Sequence, residues 1–314
     1  MRMRWSTGPR SAFKYTMNTL IAVDNSGSYR VYLTITTDLC EQAMQIHDCV
    51  PTAAAALGRT LTCAGMMGLM LKSMSDKLTV QIKGDGPAEQ ILATADALGR
   101  VKGYIVNPGA QLPAKPDGHL DVGGIIGNGS LTVIKDLGLK EPYVGTIPLV
   151  TGEIARDFTQ YFAVSEQQPG SVALGVRFTP DGAHVAYAGG MIVQVLPGAS
   201  DECLDALEEL LYTMDDLTLL IGDAGADLYK LMDIIFGKLP GDFRPRVLEE
   251  RSISWLCDCS RERMEKALIS IGRKDLSEII EEDRGAELTC QFCRRKYTFT
   301  EDELIQLLQE ASHE

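Results

Sequence analysis

Two short cysteine motifs, Cys257-Asp-Cys259 and Cys290-Gln-Phe-Cys293, decide how the last part of the chain folds. The C-x-x-C spacing is that of a zinc knuckle, in which two sulfurs bind the same metal ion. The C-x-C spacing is less common in structural zinc sites, because it leaves one residue to turn the chain. A folded insert, residues 260–289, would bring the two motifs together. The sequence therefore predicts that four thiolates bind one zinc ion.

The segment around these motifs, residues 254–314, has the pattern of a small separate unit. Ser260 and Asp275 are predicted to cap two helices, Thr300 a third, and residues 297–299 alternate as a short strand. A unit of about 60 residues buries little apolar surface and is marginally stable by itself. Zinc peptides gain roughly 10–16 kcal/mol from their metal at neutral pH. We therefore expect zinc to be part of the folding free energy of this unit.

The same chemistry makes the zinc site a candidate redox switch, because an oxidant that converts thiolates to disulfides removes the metal ligands. Residues 294–296 are basic and favour the thiolate form of the cysteines just before them. We therefore expect oxidant to reach Cys290 and Cys293 readily. A disulfide between Cys257 and Cys259 would close a much smaller ring, which is expected to be strained and easily reduced again.

Two other interpretations of the C-x-x-C motif fit less well. A thioredoxin-type redox pair begins a helix in a βαβ unit, whereas basic residues and a predicted strand follow Cys293. A nucleic-acid-binding zinc ribbon would need a basic face, but residues 261–296 hold nine basic and eight acidic side chains. A constitutive zinc-ribbon protein with a binding role, whose metal is purely structural, remains the alternative to a switch.

The composition is that of an acidic globular protein with a sizeable core. With 45% hydrophobic residues, a chain of 314 residues is long enough for one large domain and one small one. The formal net charge of −13 disfavours nucleic acid, whose phosphates attract basic surfaces. No run of residues approaches the roughly 18 apolar residues of a membrane span. We therefore expect neither a nucleic acid nor a membrane as a partner.

The first residues of the chain, 1–16, are basic and polar and are expected to form an unstructured extension. They lack the apolar region of a secretory signal, and a start at Met17 would leave the first strand intact. We therefore expect the protein in the cytoplasm, where clustered cysteines bind metal or sense redox state more often than they form permanent disulfides.

Strand and helix patterns before the cysteine motifs predict an α+β fold. Val31, Leu33 and Ile35 alternate with more polar neighbours, as in a half-buried strand. Pro51 opens a long apolar helix, and a helical series covers residues 201–236. Tight turns join the strands, which favours antiparallel neighbours.

These patterns divide the chain into an antiparallel-sheet domain with packed helices, a helical linker and the small zinc-binding domain. Pro240, Gly241 and Pro245 interrupt regular structure in the linker and predict a hinge there. The predicted boundaries are 17–237 for the sheet domain, 238–253 for the linker and 254–314 for the zinc-binding domain.

The remaining candidate sites have structural interpretations, so we predict no catalytic residue and no enzyme activity. Residues 127–131 are rich in glycine but lack the lysine of a phosphate loop, and strand turns explain them. Glu153, Asp157 and Glu166 are interpreted as a solvated helix face. Four further cysteines lack metal-ligand spacing and are expected to pack in the core as small apolar residues: Cys40, Cys49, Cys63 and Cys203.

Both cysteine motifs and several N-terminal stretches resemble one known family. The segment Cys257-Asp-Cys-Ser-Arg-Glu-Arg, together with Cys290-Gln-Phe-Cys, is similar to the C-terminal signature of the bacterial 33-kilodalton heat-shock chaperonin family. The similarity extends from about residue 18 through the N-terminal part of the chain. The stretches that carry it there are Gly127-Asn-Gly-Ser-Leu, Gly152-Glu-Ile-Ala-Arg-Asp, Ser165-Glu-Gln and Ala188-Gly-Gly.

The resemblance implies a redox-regulated holdase, a chaperone that binds unfolding client proteins without ATP. Its reduced form would be an inactive monomer with one zinc ion per chain, held by Cys257, Cys259, Cys290 and Cys293. Oxidation in such proteins pairs Cys257 with Cys259 and Cys290 with Cys293. It releases zinc and unfolds the zinc-binding domain and the linker, and the active form is expected to be a homodimer.

Overall fold

Alternating apolar residues near the start of the chain build the first of two large sheets. The computed structural model describes residues 17–310, so the expected extension at residues 1–16 lies outside the described part. The first sheet contains β1 (Thr19–Asp24), β2 (Tyr29–Ile35), β8 (Gly170–Phe178), β9 (Val185–Val195) and β10 (Pro245–Arg251). Its order is β10-β1-β2-β9-β8, and every neighbouring pair is antiparallel. The pairing of β8 with β9 confirms the hairpin that the turn at residues 180–182 predicted.

The second sheet has six strands and carries the short strand that leads into the cysteine motifs. Its strands are β3 (Lys77–Gly84), β4 (Gln90–Asp96), β5 (Arg100–Ile105), β6 (Gly129–Asp136), β7 (Tyr143–Pro148) and β11 (Ser254–Trp255). Their order is β11-β5-β4-β3-β6-β7. All neighbours are antiparallel except β11, which pairs in parallel with β5.

A long buried helix, α2 (Pro51–Leu69), contacts strands of both sheets and is central to the larger core. Pro51 stands in its first turn, where a missing N–H costs nothing. Small residues on α2 permit close approach, and a Cβ at Gly68 would lie 2.6 Å from the carbonyl oxygen of Asp96. Three shorter helices complete this layer: α1 (Thr37–His47), α3 (Val122–Ile126) and α4 (Ala155–Val164).

The other face of the first sheet is covered by three helices in the predicted helical series: α5 (Asp201–Thr213), α6 (Leu217–Asp223) and α7 (Leu228–Phe236). Val31 and Leu33 pack on this side, whereas Tyr32 packs on the side of α2. β2 is therefore buried on both faces, and the prediction of a half-buried strand is wrong. The reason is that a second apolar layer, which strand periodicity does not reveal, covers the outer face.

The predicted helical linker is also wrong, because residues 238–253 contain a short 3₁₀ helix, Gly241–Phe243, and the strand β10. Pro245 begins β10 and has no N–H group to donate a hydrogen bond within a helix. Proline is tolerated on an edge strand, and β10 lies at the edge of its sheet. Among residues 17–310, no helix is both long and apolar enough to cross a membrane.

The last part of the described chain folds around its own small core. It consists of α8 (Arg261–Ser270), α9 (Arg273–Asp283), the hairpin of β12 (Gly285–Thr289) and β13 (Lys296–Thr300), and α10 (Glu301–Glu310). Ser260 and Thr300 cap helices as predicted. Asp275 does not, because Gly272 (φ 97°) precedes α9 and places Asp275 in its first turn. The overall α+β prediction is confirmed.

Candidate metal centre

The four cysteines of the two motifs converge on one point. Their Sγ atoms all lie within 4.8 Å of one another. The separation is 3.7 Å between Cys257 and Cys290 and 3.3 Å between Cys259 and Cys293. Zinc–sulfur bonds of 2.3 Å in a tetrahedron would separate the sulfurs by about 3.8 Å. The donor set and its spacing therefore fit a tetrahedral thiolate site.

Local chain geometry positions each motif. Cys257 and Cys259 follow β11 directly, so the pairing of β11 with β5 fixes where the first motif begins. The second motif occupies the turn of the β12–β13 hairpin. Within this turn the N–H of Cys290 donates to the carbonyl of Arg295 (2.9 Å), and the N–H of Arg294 donates to the carbonyl of Cys290 (2.8 Å). Arg294 adopts a left-handed conformation (φ 58°), which closes the turn.

The sulfur cluster favours a thiolate at Cys259. Burial opposes ionisation there, but the Tyr297 hydroxyl donates a hydrogen bond to Cys259 Sγ (3.1 Å), and the other three thiols add to this effect. Together these hydrogen bonds lower the pKa of Cys259 to about 7. Burial raises the pKa of Cys257 and Cys293. The sequence pattern predicted only that Tyr297 lies in a strand. Its position four residues after Cys293 is the sequence feature that could have placed its hydroxyl near the cysteines.

The two cysteines of the second motif differ in exposure, although we expected oxidant to reach both of them readily. Cys290 is only 5% exposed, whereas Cys257, Cys259 and Cys293 are half-buried. The expectation is wrong for Cys290, because its side chain is buried beside Cys257, while the basic residues that follow the motif are exposed.

A second set of contacts joins both cysteine motifs to β5. The Lys102 ammonium forms an ion pair with Asp258, the middle residue of the first motif. The same ammonium lies 4.7 Å from the ring centroid of Phe292, inside the second motif. The Phe292 ring also meets Tyr104 edge-to-face at 5.4 Å. These contacts could not be predicted from the sequence, because they join positions more than 150 residues apart.

The pKa of the Asp258 carboxyl is lowered by this contact. Partial burial opposes ionisation, but the ion pair with Lys102 and the nearby Arg263 guanidinium (2.7 Å) outweigh it. They lower the pKa of Asp258 to about 2. The carboxylate therefore stays charged over the physiological range and holds the first motif against β5.

Lys102→Met should loosen this junction without changing any of the four cysteines. The Asp258 side chain is 46% exposed, so solvent screening reduces the loss to about 1 kcal/mol. Amides of residues 253–256 should then exchange about fivefold faster, as measured by hydrogen exchange with mass spectrometry. Lys83→Met, at an exposed position of β3, is the matched control. Equal exchange rates at residues 253–256 in the two variants would contradict the assigned role of Lys102.

The four dispersed cysteines pack in the core, as predicted. Cys40, Cys49, Cys63 and Cys203 are all at most 5% exposed. Burial raises the pKa of Cys40 to about 11 and that of Cys49 to about 12. These thiols therefore resist ionisation and are poor metal ligands and poor nucleophiles.

The interpretation of Glu153 and Glu166 as part of a solvated helix face is wrong. Glu153 forms ion pairs with Arg59 (2.8 Å) and Lys115, and it accepts the N–H of Gly123 (3.0 Å). Glu166 pairs with Lys135 (2.6 Å) and accepts the hydroxyl hydrogen of Tyr161 (2.5 Å). Both carboxylates tie distant segments together, which a helical periodicity cannot show.

Asp157, the third of these acidic residues, is fully buried. Its carboxylate accepts backbone N–H groups from Val150 (2.7 Å), Thr151 (2.9 Å), Gly152 (3.3 Å) and Ile154 (2.8 Å). Ile154 precedes α4 with φ 75°, a strained conformation for a β-branched residue. Asp157 therefore organises the loop before α4, and the solvated-face interpretation is wrong here too.

Comparisons with known proteins agree with this architecture. The family model described as Hsp33 protein matches residues 18–300. The 33 kDa chaperonin of Clostridioides difficile is 46% identical over 292 residues, covering 93% of this chain and 98% of that protein. The 33 kDa chaperonin of Alkaliphilus oremlandii is 47% identical over 286 residues, 91% of this chain and 94% of that one.

A solved structure shows the same similarity in three dimensions. The crystal structure of the 33 kDa chaperonin (heat shock protein 33 homolog) from Thermotoga maritima superposes with a TM-score of 0.86 at 32% sequence identity. The match covers 95% of this chain and all of that one. With a family model that spans most of the chain and relatives at this level of identity, the chain belongs to the Hsp33 family.

Proposed function

We propose that this chain is an ATP-independent chaperone whose activity is controlled by the redox state of its C-terminal cysteines. Membership of the Hsp33 family supports a chaperone function and the binding of unfolded client proteins. The observation that supports redox control is that the four Sγ atoms lie within 4.8 Å of one another. The first cysteine motif also follows β11, which pairs with β5 of the large domain. Client binding would therefore depend on the state of this cluster.

In the reduced state, Cys257, Cys259, Cys290 and Cys293 would hold one zinc ion. Four soft thiolate donors at tetrahedral spacing suit zinc better than calcium or magnesium, which prefer oxygen ligands. When bound, zinc would supply a cross-link between two motifs that the chain itself joins only through α8, α9 and β12. We also propose a division of the chain into a chaperone domain (17–237), a linker (238–253) and a zinc-binding domain (254–314).

Oxidation would convert the four ligands into two disulfides. For each disulfide, two thiolates give up one electron each and an S–S bond forms. The two electrons break the O–O bond of one hydrogen peroxide molecule, which takes up two protons and leaves as two water molecules. We assign the pairs Cys257–Cys259 and Cys290–Cys293 from the family resemblance. The shortest contacts given above join cysteines of different motifs, so peptide mapping of the oxidised protein is needed to test this pairing.

Loss of the ligands would destabilise the zinc-binding domain and the linker together. The small domain buries only a few large apolar side chains: Leu268, Leu276, Ile280, Phe299, Leu304 and Leu307. Such a core adds a few kcal/mol at most, well below the roughly 10–16 kcal/mol of a structural zinc site. Apolar surface under the linker would then become available to clients. We infer that the protein is located in the cytoplasm, where its reduced, inactive form is a monomer and its oxidised, active form is a homodimer.

Peroxide treatment at mild heat is the direct test of this function. The treated protein should release about one zinc ion per chain, lose four free thiols, and suppress aggregation of a denatured client. The untreated protein should protect the client little, and a dithiol reductant with added zinc should reverse the change. If zinc stays bound, or if protection is the same before and after peroxide, the chain is a constitutive zinc protein instead.

A further inference from the structure

The segment that leads into the first cysteine motif closes one edge of each large sheet. β10 lies on the edge of β1, and β11 lies on the edge of β5. We call residues 252–256, which contain β11, the cover segment. Two of its backbone N–H groups donate hydrogen bonds to this edge. The N–H of Ser254 donates to the carbonyl of Gly99, just before β5 (3.0 Å), and the N–H of Leu256 donates to the carbonyl of Val101 in β5 (2.9 Å).

Two apolar side chains of the cover segment fill sites on the large domain. Ile253 is 2% exposed and packs so closely on α2 that a Cβ at Gly65 would lie 2.5 Å from its Cγ2 atom. Trp255 is 9% exposed and its ring meets that of His47 edge-to-face at 6.1 Å. The intervening Ser254 and the following Leu256 point outward. The cover segment is therefore an extended strand with apolar residues at alternate positions.

We propose that the edge of β5, with the sites of Ile253 and Trp255, binds an extended client segment once the cover segment has left. This inference rests on the proposed function, because it needs oxidation to free the cover segment. It adds the surface on which a client binds and the kind of client segment that fits. The client strand would pair with β5 through the same backbone groups that hold the cover segment.

The occupant is an unfolding polypeptide with a defined pattern. The cover segment has large apolar residues two positions apart, Ile253 and Trp255, and the carboxylate of Asp258 follows just after the segment, three positions beyond Trp255. When Asp258 leaves, the Lys102 ammonium loses its partner and attracts a client carboxylate at the matching position. Backbone pairing tolerates many sequences, and alternating apolar segments are buried in folded proteins. This surface would therefore select unfolding chains.

A peptide with the sequence of residues 252–258, carrying Cys257→Ser and a fluorescent label, tests the surface. It should bind the oxidised full-length protein, compete with a denatured client for protection, and bind the reduced zinc-loaded protein poorly. N-methylation of the amides equivalent to Ser254 and Leu256 keeps both side chains but removes the two strand hydrogen bonds. This change should weaken binding about tenfold or more. Ile253→Ser with Trp255→Ser in the peptide should abolish detectable binding.

A photo-cross-linker identifies the occupant in the full-length protein. Tyr104 lies outward on β5, and p-benzoylphenylalanine at this position should react with the C-terminal unit in the reduced state. In the oxidised state with client present, it should react with the client. Cross-links to residues 252–256 of a second copy would overturn the inference, because the β5 edge would then be a dimer interface.

The outcomes separate this inference from the function on which it rests. If the oxidised protein protects its client but the peptide neither binds nor competes, the β5 edge is not the client site and the proposed function still stands. Equal binding of the N-methylated peptide would overturn strand pairing. If peroxide neither releases zinc nor induces protection, both the function and the inference fail.

Discussion

Cys290→Ser is expected to abolish tight zinc binding and to unfold residues 260–310 in the absence of any oxidant. A serine hydroxyl does not ionise near neutral pH, so only three thiolates would remain to bind the metal. The small apolar core of this unit cannot replace a metal contribution of roughly 10–16 kcal/mol. Zinc titration with a competing chelator should show affinity lower by several orders of magnitude, and far-UV circular dichroism should show lost helix.

Cys63→Ser is the matched control for this change. Cys63 is a fully buried thiol in α2, far in sequence from both cysteine motifs. The control should keep one zinc ion per chain and the fold of residues 260–310, with only a local loss of stability in the large domain. If Cys290→Ser binds zinc as tightly as Cys63→Ser does, Cys290 is not a ligand.

Asp157→Ala should be the most damaging substitution outside the cysteine motifs. Its carboxylate is fully buried and accepts four backbone N–H groups from the loop before α4. Each buried donor left without a partner costs about 1–3 kcal/mol. Some will find water or rearrange, so we expect a loss of at least about 3 kcal/mol in the free energy of unfolding. Urea denaturation of the reduced protein measures this loss, and zinc stoichiometry should stay unchanged.

Asp181→Ala provides the matched control for the buried carboxylate. Asp181 also accepts a backbone N–H, from Ala183 (3.1 Å), but it lies in an exposed turn. Water can replace this acceptor in the exposed turn, so the expected loss of stability is much smaller than that of Asp157→Ala. Asp157→Asn should lie between the two, because its amide keeps one acceptor oxygen. Equal losses for Asp157→Ala and Asp181→Ala would contradict the role assigned to Asp157.

The features that sequence analysis predicted correctly depend on short stretches of chain. The spacing within each cysteine motif and the caps at Ser260 and Thr300 involve residues no more than three positions apart. The convergence of the two motifs was predictable because C-x-C and C-x-x-C each present two donors for the same ion. The antiparallel pairing of consecutive strands, as in β3 with β4 and β8 with β9, followed from tight turns between alternating segments.

The features that it missed depend on contacts between distant parts of the chain. The linker is a strand because β1 offers an open edge more than 200 residues earlier in the sequence. Pro245 was interpreted as an interruption, although proline is compatible with an edge strand. Asp157 had the spacing of an exposed helical residue, and only the fold shows that four N–H groups surround it. Lys102 gave no signal, because its partners lie inside the cysteine motifs.

Hydrogen exchange of the reduced full-length protein, before and after a chelator removes its metal, tests most directly whether the metal holds the C-terminal unit together. Amides of residues 260–310 should lose their protection when the metal is removed, and those of the cover segment should exchange faster. Amides of α2 and of the central strands of both sheets should remain protected. Unchanged protection of residues 260–310 after complete metal removal would contradict the account, because the unit would then be stable without its four-cysteine cross-link.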